Sequence, residues 1–197
     1  TAALLFYDLN RHSVDLDFDL LDESKEAEVF EKINKIAESY GTIIDSRIKH
    51  FNLLNVISYA PGAQKIKVEV NRRNFGSKYE VMTLLGISML VMIREDMFAH
   101  KLMAMHERVG KTSRDIYDVW FFLKNNWPIN KEIVEQRSSM SFKELLQKSI
   151  EQLEKMDNKH ILDGLGDFLT EPQKDWARAK LRTETIFLLK ARMESEK

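Results

Sequence analysis

The chain has 197 residues, with 30 Lys and Arg against 31 Asp and Glu, a formal net charge of −1 and no cysteine. That length supports one domain or two small ones sharing an interface, and the missing cysteines exclude both a disulfide framework and a thiolate metal centre. A near-neutral chain meets a nucleic acid through a local basic patch and not through its overall field; with no apolar run of bilayer-spanning length and no signal-peptide pattern at the start, a cytoplasmic protein without a membrane partner is expected.

Taken in order, residues 1–9 form a short apolar segment, Ala2-Ala3-Leu4-Leu5-Phe6-Tyr7, with Thr1 able to cap a helix. A chain that opens on a core-like segment is unusual, and a native N-terminal piece ahead of Thr1 is expected. Residues 11–20 read as a strand. Residues 24–39 carry apolar side chains at helical spacing, with Ser24 as N-cap and Gly41 as the stop. Strands are predicted over residues 42–49, 51–59 and 65–70, the last two separated by a Pro61-Gly62 turn, and again over residues 80–84 and 87–93. The last of these is the longest apolar stretch, and by its length it reads as a buried strand.

Near residue 94 the pattern changes from β to α, giving an expected sheet domain over residues 1–94 and a helical domain over residues 95–197. Residues 95–108 place Phe98, Leu102 and Met105 on one stripe with Lys101 in a polar gap beside it; residues 115–123 form a second helix with Ser113 as a candidate N-cap. His100 and His106 lack the spacing and the acidic neighbours of a metal pair. Helices over residues 130–136, 141–156 and 172–193 complete the chain. The last carries Lys174, Arg178, Lys180, Arg182, Lys190 and Arg192, a set that reads first as a solvated surface and second as a contact for RNA phosphates.

The chemistry is concentrated in a few places. In Ser13-Val14-Asp15-Leu16-Asp17-Phe18 an extended backbone sends Val14, Leu16 and Phe18 to one face and both carboxylates to the other. Close carboxylates repel, and a shared proton, a cation or a divalent metal relieves the repulsion. In residues 65–70, Ile66, Val68 and Val70 share a face opposite Lys65, Lys67 and Glu69. Beside the Asp15–Asp17 strand, Glu69 would complete a three-carboxylate cluster for a hard cation; on spacing alone, next to Lys67 on the same face, it reads first as a solvated cross-strand pair. Asp115 and Asp118, near the start of a helix, are also favourable with the helix dipole alone.

Arg11-His12-Ser13-Val14-Asp15-Leu16-Asp17-Phe18, Lys67-Val68-Glu69-Val70, Ala99-His100-Lys101-Leu102-Met103-Ala104 with Arg108, and Ser113-Arg114-Asp115-Ile116-Tyr117-Asp118-Val119 together resemble, in order and spacing, the motifs of the AbiEii/AbiGii toxin nucleotidyltransferases, part of the DNA polymerase β-like superfamily. The resemblance implies an α+β fold in which a nucleotidyltransferase-type mixed sheet flanked by helices is followed by a helical bundle, with the nucleotide in the cleft between them. It implies Mg²⁺ or Mn²⁺ on Asp15, Asp17 and Glu69, with Lys101 and Asp115 also catalytic. Thr1, Arg11, Ser13, Lys101, Arg114 and Asp118 would bind or support the nucleotide. Thr1 matches the third position of the family's Gly-Gly-Ser/Thr turn, so the two glycines and the first strand would precede residue 1. The implied activity is transfer of a nucleoside monophosphate from an NTP to an acceptor, RNA and in particular the 3′ end of tRNA, by a toxin with a separately encoded antitoxin. Two other readings share these residues: a catalytically silent nucleotide-binding module, and a transferase acting on a protein or small-molecule hydroxyl.

Overall fold

The computed structural model describes residues 1–196, which divide into one unit of Thr1 and Ser13–Asn74 and another of Ala2–His12 and residues 75–196. The first unit holds strand β1 (Leu16–Asp19), helix α2 (Glu26–Tyr40) and strands β2 (Thr42–Ile48), β3 (Asn52–Ser58) and β4 (Ile66–Asn71); α1 (Ala2–Tyr7) belongs to the second. The four strands make one mixed sheet in the order β1-β4-β3-β2, with β1 parallel to β4 and the other pairs antiparallel. Ala37, Ile57 and Val68 form its small buried core, with Ile33, Ile43 and Ile66 packed against them, so α2 covers the apolar face of the sheet.

Two local expectations change in this unit. Asp22, not Ser24, starts the helical segment: its carboxylate accepts from the Ser24 amide at 3.0 Å and the Ser24 hydroxyl at 2.6 Å, capping a 3₁₀ turn over Glu23–Lys25 that leads into α2. Gly41 ends α2 as expected, but its φ of 168° is extended backbone and not a left-handed cap. A Cβ there would stand 2.4 Å from the Ser58 carbonyl oxygen, so glycine is required by the close approach of β3. Strand β1 is shorter than the predicted residues 11–20: Arg11 and His12 belong to the second unit, within which the His12 amide donates to the Phe168 carbonyl at 3.0 Å.

The second unit contains α1, the hairpin of β5 (Tyr79–Leu84) and β6 (Ile87–Met92), and helices α3 (Arg94–Arg108), α4 (Arg114–Lys124), α5 (Lys131–Ser138), α6 (Phe142–Lys155), α7 (Glu171–Trp176) and α8 (Arg182–Ser195). Its core includes the predicted stripe Phe98, Leu102 and Met105 with Ile116, Phe122, Leu145 and Ile150. Ser141 caps α6 by accepting from the Glu144 amide at 3.3 Å. Ser113 does not cap α4; its hydroxyl donates to the His160 carbonyl at 3.3 Å. The predicted last helix is interrupted by a π-helical turn, Ala177–Leu181. The compact division falls at residue 74, so the hairpin groups with the helices rather than with the sheet unit expected to end at residue 94.

Residues 87–93 are not a buried strand. Ile87, Met89 and Leu90 are exposed and only Val91 is buried, because β5 and β6 form a two-stranded ribbon of which only Met82, Val91 and Met92 pack on the helical core. Apolarity and length identified the strand but carried no information on how many faces are covered. Most basic side chains of the C-terminal segment are engaged locally. Lys174, Arg178 and Lys190 pair with Glu171, Asp175 and Glu154, each at 2.7 Å, and Arg192 pairs with Glu196 at 3.3 Å. Arg182 donates to the Leu153, Glu154 and Met156 carbonyls at the end of α6. Among the described residues no helix is long and apolar enough to cross a membrane.

Candidate active site

In the sheet unit, alternation and pairing register build a polar face. β1 and β4 are matched so that Asp17 lies opposite Glu69 and Asp19 opposite Asn71. Paired positions on adjacent strands share a face. One residue before β1, Asp15 is 3.8 Å from the Lys67 ammonium, which pairs with Glu69 at 2.8 Å. Burial pushes the Lys67 ammonium down, and hydrogen bonding to Glu69 with the charges of Glu69, Asp15 and Asp17 more than reverses this, leaving it raised. Asn52, on β3, donates to the other Glu69 oxygen at 2.6 Å, and Asn71 donates to Asp19 at 2.8 Å. Thr1 Oγ1 lies 3.0 Å from Ser13 Oγ and donates to the Asp15 carbonyl, so the hydroxyl expected to cap a helix instead fixes the approach to β1.

Among the described residues no group of three or more His, Cys, Asp or Glu side chains is placed to hold a metal ion. The donor chemistry nevertheless suits a hard divalent cation: all oxygen, all carboxylate, and with the Lys67 ammonium lying between Asp15 and Glu69, where positive charge is favoured. At the end of β1, β3 and β4 the polar face opens into a concavity lined by Asp17, Phe18, Phe51, Asn52, Glu69, Asn71 and Arg73.

In the helical unit a second cluster forms around α3 and α4. Asp118 is fully buried; Arg11 grips it with Nε at 2.6 Å on one oxygen and Nη2 at 2.8 Å on the other. Lys101 reaches the same carboxylate at 2.9 Å and Asp115 at 3.4 Å. Arg108 Nη2 stands 2.8 Å from the second Asp115 oxygen, an ion pair without hydrogen-bond alignment. Burial alone would raise the Asp118 carboxyl, but Lys101 and Arg11 outweigh it and hold it at about 2. Lys101 is depressed by burial and raised on balance by Asp118 and Asp115, so it remains an ammonium. With Asp115 and Asp118 ionised, the cluster of three cations and two anions has one surplus positive charge, and Lys101 and Arg108 are its partly exposed members. Arg114 lies over the Phe168 ring at 5.1 Å.

The sheet unit thus gathers Thr1, Ser13, Asp15, Asp17 and Glu69, and the helical unit gathers Arg11, Lys101, Asp115 and Asp118. Sequence reasoning passed over Asp19, although it continues the same alternation. It gave Arg108 no role, although Arg108 lies in the motif carrying Lys101. The contacts of Asn52 and Asn71 arise from strand register and leave no local signal.

Residues 1–186 match the model of the nucleotidyl transferase AbiEii toxin family, of type IV toxin–antitoxin systems. The chain belongs to this family. As an AbiEii protein it is a nucleotidyltransferase, and the mixed sheet followed by helices agrees with the fold its motifs imply. Two Helicobacter pylori crystal structures resemble it. One is of a protein assigned as a nucleotidyltransferase, with 21% identity, a TM-score of 0.57 and coverage of 100% of this chain and 86% of that one. The other is JHP933, with 18% identity, a TM-score of 0.55 and coverage of 99% and 83%. At such identities the likeness concerns the fold. A search of curated proteins found no match.

Proposed function

We propose that this AbiEii protein transfers a nucleoside monophosphate from an NTP to the 3′-hydroxyl of an RNA, the 3′ end of tRNA being the expected acceptor, with Mg²⁺ or Mn²⁺, in the cytoplasm, and that a separately encoded antitoxin opposes it. The supporting observation is the parallel pairing of β1 with β4, which sets Asp17 directly beside Glu69 with Asp15 on the same face. Asp15, Asp17 and Glu69 would hold the cation. Bound there, a divalent ion supplies charge neutralisation at the α-phosphate and lowers the pKa of the acceptor hydroxyl.

The acceptor oxygen forms a bond to the α-phosphorus as the bond to the bridging oxygen of the leaving pyrophosphate breaks; the hydroxyl proton passes to Glu69 or to solvent. Lys101 and Arg108 present the surplus positive charge that suits β- and γ-phosphates. Asp118, with both oxygens engaged by Arg11 and Lys101, is a positioning residue that orients Lys101. Asp115 performs the same task for Arg108, and Arg114 and Ser13 support the two clusters from their flanks.

Replacing Asp15 or Asp17 with Asn should abolish incorporation of an α-phosphate-labelled NTP into total cellular RNA while circular dichroism and melting temperature stay close to wild type. Undiminished labelling in both variants would remove the metal-binding assignment. NTP-dependent thermal stabilisation of the wild type without any transfer would instead indicate the silent module.

A further inference from the structure

The sheet unit also carries an aromatic platform with no part in the chemistry above. Phe51, between β2 and β3, is 52% exposed although it borders the concavity that holds Asp17 and Glu69. Its loop is tied down. The Arg72 amide donates to the Phe51 carbonyl at 2.9 Å, Arg72 Nη1 donates to the Lys49 and His50 carbonyls at 2.8 and 3.2 Å, and Arg72 Nε pairs with Glu26 at 2.6 Å. The Arg73 guanidinium sits 5.1 Å from the Phe51 ring centroid and is steadied by Asn71 Oδ1 at 3.2 Å. An exposed ring held this firmly is suited to stacking, because little side-chain freedom remains to be lost when a flat ligand covers it.

Arg73 holds a positive charge against the ring, and Lys49 precedes Phe51 by two residues in the same loop, so a chain whose net charge is −1 has here a local basic element of the kind an overall neutral protein needs for nucleic acid. We propose that Phe51 is the platform on which the terminal base of a single-stranded RNA acceptor stacks, with its phosphates following Lys49 and Arg73. The proposal rests on the reading of Asp17 and Glu69 as the reacting face, since the concavity shared with them would direct the terminal 3′-hydroxyl of a base stacked on Phe51 toward that face.

The test is fluorescence anisotropy with a labelled short single-stranded RNA in Mg²⁺, alongside steady-state kinetics with the same RNA. Phe51→Ala should weaken binding about tenfold and raise the KM for RNA similarly, with the KM for NTP unchanged; Phe51→Trp should restore both. Arg73→Ala should weaken binding and flatten its salt dependence. A Phe51→Ala protein that melts like wild type and keeps the wild-type Kd and KM for RNA overturns the platform. Phe51-dependent RNA binding in a wild-type protein that transfers no nucleotide supports the platform and overturns the transferase reading instead.

Discussion

Asp118 joins local chemistry to stability most directly. Its carboxylate is completely buried and is held by Arg11 and Lys101, so truncation would leave two cations without their shared counter-charge. Asp118→Ala should cost about 3–5 kcal/mol in denaturant unfolding. Folding lowers the carboxyl from 3.8 to about 2, so its contribution is complete above the ordinary carboxylate range and is lost as the pH falls through about 2. That titratable part is worth about 2 kcal/mol, and the stability gap between wild type and Asp118→Ala should narrow by this amount between neutral pH and pH 2. A gap that does not change with pH would mean that the carboxylate is not held by these cations. The presence of Asp115 and Asp118 is plain in the sequence, but their burial is not. Acids near the start of a helix look alike whether they face water or a guanidinium, and the partner of Asp118 lies more than a hundred residues away at Arg11.

Among the elements, the strands were readable because period-two alternation places Lys67 and Glu69 opposite Val68 and Val70 wherever the strand runs. The pairing that sets Asp17 beside Glu69 was conditional until β1 and β4 were found as neighbours, since β1 reaches β4 only after α2, β2 and β3 intervene. The hairpin shows the opposite limit. Its turn holds Leu85 at a φ of 50° and Gly86 at 80°, the mirror-image geometry that two-residue hairpins favour, yet a bulky leucine sits where asparagine or glycine is preferred. Leu85 is 93% exposed, so no packing compensates for the strain. Leu85→Asn should therefore stabilise the hairpin by about 1 kcal/mol, read as slower amide hydrogen exchange across β5 and β6. Faster exchange would contradict the turn geometry.

For the whole molecule, composition excluded disulfides and thiolate metals, and motif order led to the family that the match over residues 1–186 establishes. The grouping of the β5–β6 hairpin with the helices was not legible, because it depends on Tyr7 donating to Glu80 at 3.0 Å and to the Met92 carbonyl at 3.2 Å from the far end of the chain. Likewise, the positive charge of the last helix reads first as a solvated surface, but the sequence does not show that Lys190 and Arg182 are held by the Glu154 carboxylate and the Met156 carbonyl.

Nucleotidyl transfer is defined by which bond breaks, the one between the α-phosphorus and the pyrophosphate oxygen. Purified protein incubated with NTP, Mg²⁺ and RNA should release one pyrophosphate for each nucleotide that mass spectrometry finds added to an RNA 3′ end. Release should require RNA and disappear in Asp17→Asn. Orthophosphate in place of pyrophosphate, or pyrophosphate release with no lengthened RNA, would contradict nucleotidyl transfer to RNA as the activity of this chain.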